Sequence, residues 1–378
     1  MHQAVPVDSH DRMRLAHARS NARTIVALAA LATLAALAPG ASGLRAQGAP
    51  APLLRGITAL DAKRVAEVER GEAVTITLDA PDKTEIATLG VVKLDVPRAF
   101  YVARVRDLTG FLLSDVRASA GAFSEPASGA DVAALSLQPS DVKELAKCRL
   151  FACDVKLPAG MMEKLRAAVE GSRDSAPRAD SLVRAWLVDY VNAYRADSDE
   201  HLVVYDDTRR SVRSTDVFRT LTSEPLPAGV DGSAFARMLA TPRGARPPEM
   251  TSRISWEMDR LSGLKPVLEV NERSMYSSPA HPEQSWMTTK LLYASHYFES
   301  QIDLITVADA EPGSAGPASY LVIVRRQKFD DLPSGGLFNI RGKAVKKLRD
   351  ALRSTLASTR AEMSAAYADS ASAPGRSP

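Results

Sequence analysis

The chain has 378 residues, 45% of them hydrophobic and 25% charged, enough to bury one large core or two lobes. Its 48 Lys and Arg nearly balance 45 Asp and Glu. Adjacent basic residues come only in pairs such as Lys346–Lys347, which argues against nucleic acid as a partner.

Arg12, Arg14, Arg19 and Arg23 precede the apolar run "TIVALAALATLAALA" (24–38), and "PGASG" follows with small residues. A positive segment, a short apolar run and a small-residue cleavage site describe a signal peptide over 1–43, with Met1 or Met13 as its start. The alternative is an uncleaved N-terminal anchor, though a membrane span needs about 20 apolar residues. No later run is long enough to span, so no integral membrane segment is expected after cleavage. The expected location is the periplasm or the extracellular space.

"ALDAKRVAEVER" (59–70) is rich in helix formers, and Gly71 is placed to stop it. "AVTITLD" (73–79) alternates as a half-buried strand, and "EIATLGVVKLDV" (85–96) is a second one. Pro97 opens a helix, "PRAFYVARVRDL", at a position where its missing N–H costs nothing. "LSDVRASAGAF" (113–123) is a weaker strand.

Residues 131–245 read mostly as helices. In "ADSLVRAWLVDYVNAYRA" (179–196) Leu182, Trp186, Tyr190 and Tyr194 recur every four residues, as a packing face does. Cys148 and Cys153 lie in "CRLFACDVKLP". In an exported chain such a pair reads as a local disulfide, with free thiols or a metal site as rivals. A metal would need further ligands, and His201, His281 and His296 are distant in sequence. "TPRGARPPEM" (241–250) is the best internal boundary.

From 251 the pattern is β. "SRISWEMD" alternates, "VLEVNERSMYSS" (267–278) mixes apolar with charged residues, and 285–310 reads as two strands joined near 299–301. "ASYLVIVRRQKFD" (318–330) is a strand. "LFNIRGKAVKKLRDALRSTLASTRAEM" (337–363) is a long helix with Leu337, Ile340, Val345, Leu348, Leu352, Leu356 and Met363 on one stripe. The tail over 366–378 has a disordered composition.

"GVVKLDVPRAFYVARVRDL" near the start, and "SYLVIVRRQKFDDL" leading to "LFNIRGKAVKKLRDALRSTL" at the end, resemble the START lipid-transfer domains and their helix-grip relatives. There an early strand runs into a Pro-containing helix start, and a last strand leads into the gripping helix. The resemblance implies an α+β fold over 48–365, a curved antiparallel sheet packed on the long C-terminal helix, with 131–245 as a large helical insertion. "CRLFACDVKLP" and "KLLYASHYF" are similar to segments of a family of uncharacterised exported bacterial proteins.

Alternation within "KLLYASHYFES" (290–300) puts Lys290, Leu292, Ala294, His296 and Phe298 on one face, and Leu291, Tyr293, Ser295 and Tyr297 on the other. His296 and Ser295 therefore form no dyad. The chain carries no G-x-S-x-G, H-E-x-x-H, Walker A or G-x-G-x-x-G, so no catalytic residue and no cofactor is assigned. Tyr293 and Tyr297 could line a cavity, with Trp256 from a neighbouring strand. Arg325 could hold a headgroup bidentately, or form a salt bridge. The resulting expectation is an exported binding protein for an apolar or amphipathic small molecule, with Tyr293, His296, Tyr297, Arg325 and Trp256 as ligand contacts. Two rivals remain: a cofactor-free hydrolase using His296, and an envelope interaction protein that docks a partner through its helical insertion.

Overall fold

The computed structural model describes residues 52–106, 117–241, 245–260, 264–310, 317–332 and 339–372. The segment 1–43, where a signal peptide is expected, lies outside the described residues.

Helices α1 (Pro52–Gly56) and α2 (Ala62–Glu69) lead in. Asp61 caps α2 by accepting the Arg64 backbone N–H at 2.8 Å, and Gly71, at φ +83°, turns the chain out of it. Strands β1 (Val74–Leu78) and β2 (Glu85–Leu94) form a hairpin, and α3 (Arg98–Val105) starts directly after Pro97. Strand β3 (Arg117–Ala122) follows. Then come α4 (Pro139–Leu145), α5 (Ala159–Val169), α6 (Ser175–Asp197), the short β4 (Val204–Tyr205) and β5 (Val212–Arg213), α7 (Ser214–Ser223) and α8 (Gly232–Ala240). Strands β6 (Met250–Asp259), β7 (Val267–Tyr276), β8 (Gln284–Ala294), β9 (Phe298–Asp309) and β10 (Ser319–Phe329) run up and down before α9 (Ile340–Ser372).

The architecture is α+β. Eight strands form one antiparallel sheet in the order β1-β2-β10-β9-β8-β7-β6-β3. The N-terminal hairpin adds beside the last strand, through β2, and β3 adds beside β6. Among the described residues no helix is long and apolar enough to cross a membrane.

The sheet is a middle layer. One face takes α9 and α3: Leu321 and Ile323 of β10, Ile305 of β9 and Met287 of β8 share a cluster with Tyr101, Leu352 and Leu356. The opposite face takes the helical segment. Trp186 of α6 meets Tyr293 edge-on, with ring centroids 4.9 Å apart, and Tyr190 donates its hydroxyl to the Leu292 carbonyl at 2.5 Å. Helix α6 is built into this core, and Gly48–Pro378 is one compact unit.

Three differences from the sequence reading have local causes. The β8–β9 turn lies at 295–297, not 299–301, because Tyr297 takes a left-handed backbone, φ +66°. Helix α9 continues to Ser372, into the stretch expected to be disordered; Tyr367 stacks edge-on against Phe100 at 4.9 Å and gives that end an apolar anchor. Ile340 is 47% exposed at the first turn and does not join the stripe. Cys148 and Cys153 pair, as expected, with Cα atoms 4.4 Å apart, inside the range a disulfide requires.

Helix α9 rests on bare backbone at Gly90 of β2. A Cβ there would stand 2.8 Å from Leu356 Cδ1 and 2.9 Å from Leu352 Cδ2. Gly90→Val should force the helix off the sheet and lower stability by about 1–3 kcal/mol, the usual range for overpacking. A urea titration of both proteins checks this.

Candidate functional site

The sheet face that α9 packs on along β1 and β2 continues across β10 to β6, apolar at one end and polar in its middle. Counting along β10 from Leu321 and Ile323 puts Arg325 and Gln327 on the α9 side. The registers then bring up Asp303 and Gln301 on β9, Thr289 on β8, Arg273 on β7, and Ser255 and Glu257 on β6.

These side chains pair among themselves. Arg325 donates from Nε and Nη2 to the two oxygens of Asp303, at 2.7 and 2.6 Å. Arg273 donates to both Ser255 and Glu257. Asn271 donates to Glu269 at 3.2 Å, and Gln327 donates to Gln301 at 2.7 Å. Two acceptors are left over, Asn271 Oδ1 and Gln327 Oε1, both buried and without a hydrogen-bond partner. Such atoms are rare in folded proteins and call for an explanation.

Burial is deep. Glu257, Glu269, Asn271, Arg273, Asp303 and Gln327 are all 8% exposed or less. Arg325 differs: its side chain keeps 21% of its surface accessible. Burial works against its charge, but Asp303, Glu269 and Asp259 more than offset this and hold its pKa up. Glu269 goes the other way. Burial, reinforced by the charges of Asp259 and Glu257, pushes its pKa up to about 8. The shift favours the neutral carboxylic acid, the form that can donate a hydrogen bond.

The polar patch lies between two apolar clusters. At one end are Met275, Met287 and Ile305 with Tyr101 and Val105 of α3. At the other are Ile86, Val267, Leu291 and Phe298, touched by Val345 and Leu348 of α9. Charged groups cost several kcal/mol each to bury, so a sheet face that only packs a helix has no reason to carry them.

Of the residues expected to bind a ligand, Arg325 lies here. Trp256 and Tyr293 lie on the opposite face. Trp256 donates Nε1 to the Asp131 carbonyl at 2.8 Å, and Tyr293 donates its hydroxyl to the Lys156 carbonyl at 3.0 Å. A bulge accounts for Tyr293. Val270 pairs with Tyr293 but Asn271 with Leu291, so Leu292 is extra, and both Leu292 and Tyr293 point into the helical layer. Simple alternation fails at this residue, and Ala294 moves to the α9 side.

His296 and Tyr297 occupy the β8–β9 turn. His296 Nδ1 bonds the Asp154 carbonyl at 2.9 Å, and Nε2 stands 3.2 Å from the Asp141 carboxylate, an ion-pair distance without hydrogen-bond alignment. Tyr297 accepts the Lys265 backbone N–H on its hydroxyl at 2.8 Å. In this arrangement His296 ties the disulfide segment and α4 to the sheet. His296→Ala should lower stability by about 1–3 kcal/mol, because Asp141 keeps its burial and loses its neighbour. Thermal denaturation followed by circular dichroism measures this.

Lys290, the first residue of the same motif, faces a cavity of about 310 Å3 between α6, α8, β7 and β8. It is ion-paired with Asp199 and sits 4.0 Å above the centre of the Phe218 ring. Burial lowers its pKa. Among the described residues no group of His, Cys, Asp and Glu could hold a metal ion.

The residues that sequence reasoning missed are Glu257, Glu269, Asn271, Arg273, Asp303 and Gln327. Their signal was present, as polar residues at every second position in "ISWEMD", "LEVNER" and "QID", but that pattern is also the pattern of a solvent-facing strand. No protein-family model and no curated protein matches the chain.

Proposed function

We propose that the protein is an exported binding protein that holds an amphipathic small molecule between the sheet and α9. The observation that carries this reading is the buried polar array around Arg325 and Glu269, framed by apolar clusters at both ends. An apolar frame supplies affinity, and a few fixed polar groups set orientation. The accessible Arg325 offers donors to an acidic or hydroxylated headgroup. Glu269 offers a proton, and Asn271 Oδ1 and Gln327 Oε1 offer acceptors. The resemblance to START and helix-grip domains supports the same placement, and the N-terminal apolar run with the Cys148–Cys153 pair supports export.

The test is mass spectrometry on organic extracts of the mature protein, purified from an exporting host without detergent. The expected result is a lipid-like molecule at close to one per chain. An empty extract, together with no uptake of added fatty acids or phospholipids, would overturn the reading.

A further inference from the structure

The cavity of about 310 Å3 beside Lys290 lies on the sheet face opposite α9, against strands β7 and β8. Its floor is a cross-strand set on one face of that pair. Glu272 stands opposite Lys290, and Ser274 stands opposite Thr288; all four line the space. Met238 and Leu239 of α8 give it an apolar side. The volume is that of about ten waters at liquid density, at the small end of the range for organic ligands.

The charged groups around this cavity are already partnered. Arg246 donates to both oxygens of Glu272, at 2.8 and 3.3 Å, and Tyr194 donates its hydroxyl to Glu272 Oε2 at 2.7 Å. Lys290 is ion-paired with Asp199. At the rim Asp197 stands 3.0 Å from His201, and Glu200 stands 3.2 Å from Arg219. The two hydroxyls of the floor differ. Ser274 is 4% exposed and Thr288 is 3% exposed. Neither Ser274 Oγ nor Thr288 Oγ1 makes a hydrogen bond among the described residues. Unlike Asn271 Oδ1 and Gln327 Oε1, neither is sealed from water. Further along the same hairpin Ser277 and Ser285 show the usual outcome for such a pair, with their hydroxyls bonded to each other at 2.9 Å. Ser274 and Thr288 instead keep donor and acceptor capacity toward the space they line.

We infer that this cavity binds a neutral polyol of monosaccharide size, whose hydroxyls exchange hydrogen bonds with Ser274 Oγ and Thr288 Oγ1 while its C–H groups lie against Met238 and Leu239. Each partner in such a pairing can both donate and accept, so no fixed proton is needed. Side chains directly opposite on paired strands stand about 4.5–5.5 Å apart at Cβ, close enough to meet two neighbouring hydroxyls of one ring. An ionic ligand would have to draw Arg246 from Glu272 or Lys290 from Asp199 and leave a buried charge unpaired, a cost that a neutral one avoids. A wholly apolar ligand would leave both hydroxyls dry and unbonded. The inference does not rest on the site around Arg325, which lies on the other face of the sheet.

The experiment is a ligand-observed NMR titration of the purified protein with D-glucose, D-galactose and D-mannose, at low and at high salt. D-glucuronate serves as the charged counterpart. The expected result is saturable binding of at least one neutral sugar, tighter than that of glucuronate and unchanged by salt. Ser274→Ala and Thr288→Val should each weaken it roughly three- to tenfold, as the loss of a neutral hydrogen bond does. Neither hydroxyl bonds to the protein, so both variants should keep the wild-type thermal midpoint, and weaker binding then reports the site rather than the fold. If one variant fails to fold, the other carries the same test. No saturable binding of any of the three neutral sugars would overturn the inference. So would tighter binding of glucuronate, or binding that both substitutions leave at wild-type strength.

Discussion

Arg325→Met should cost the fold about 3–5 kcal/mol, the range for breaking a buried ion pair from one side. The substitution keeps most of the apolar stem and removes both hydrogen bonds to Asp303. Asp303 is 3% exposed and would be left buried with nothing opposite. Glu257 on the same face adds a further carboxylate nearby. The companion experiment removes both partners. Arg325→Met with Asp303→Leu should regain most of the loss, because the buried pair then gives way to apolar packing. Chemical denaturation of wild type, single and double variants gives the three numbers. A double variant no more stable than the single one would show that the pair is not a coupled unit. If the site under α9 holds a ligand, the recovered double variant should fold well and extract empty, so stability and function would separate.

Glu269→Gln should change the pH dependence of stability more than any other single substitution on this face. The folded-state pKa of Glu269 is raised from the ordinary 4.5 to about 8. Between those two values the folded protein holds a proton that the unfolded chain has lost. Stability therefore falls as pH rises through that window, by up to about 1.4 kcal/mol per pH unit from this group alone. Below the window the group costs nothing through ionisation, and above it the loss is complete. Glutamine keeps the shape and the neutral state, so its midpoint should fall less steeply than the wild-type midpoint through that window. Thermal melts at half-unit steps from mildly acidic to mildly basic pH make the comparison. Parallel curves for the two proteins would mean that Glu269 is ionised throughout and that Arg273 compensates it.

The strands were legible in the sequence because their alternation is strong. "SRISWEMD" and "VLEVNERS" can be placed to within a residue or two, and β10 and α9 come from continuous apolar patterning. The site was legible only at Arg325, where a charge interrupts an apolar strand. Glu257, Arg273 and Asp303 were hidden by a symmetry of the pattern itself: polar residues at period two look the same whether the face meets water or a covering layer. The layer on top turns them from ordinary into costly, and local sequence does not announce it. Tyr293 was misplaced for a different reason. One extra residue at Leu292 reverses the facing of the strand residues after it, and bulges of this kind leave no compositional mark without glycine.

The pairing of β2 with β10 has a consequence for how this chain must come together. Leu94 stands opposite Ser319, and Glu85 opposite Lys328. Strand β2 is buried at nine of its ten positions, yet one of its two neighbours is among the last strands to be made. Until β10 arrives, a long apolar edge waits open, which is the form in which chains pair with the wrong partner. Closing the sheet joins segments more than two hundred residues apart, so the slow step of folding belongs at its end. A protein cut before Ser319 would leave β9 to β3 paired among themselves and would strand the β1–β2 hairpin, with an unpaired edge on each piece.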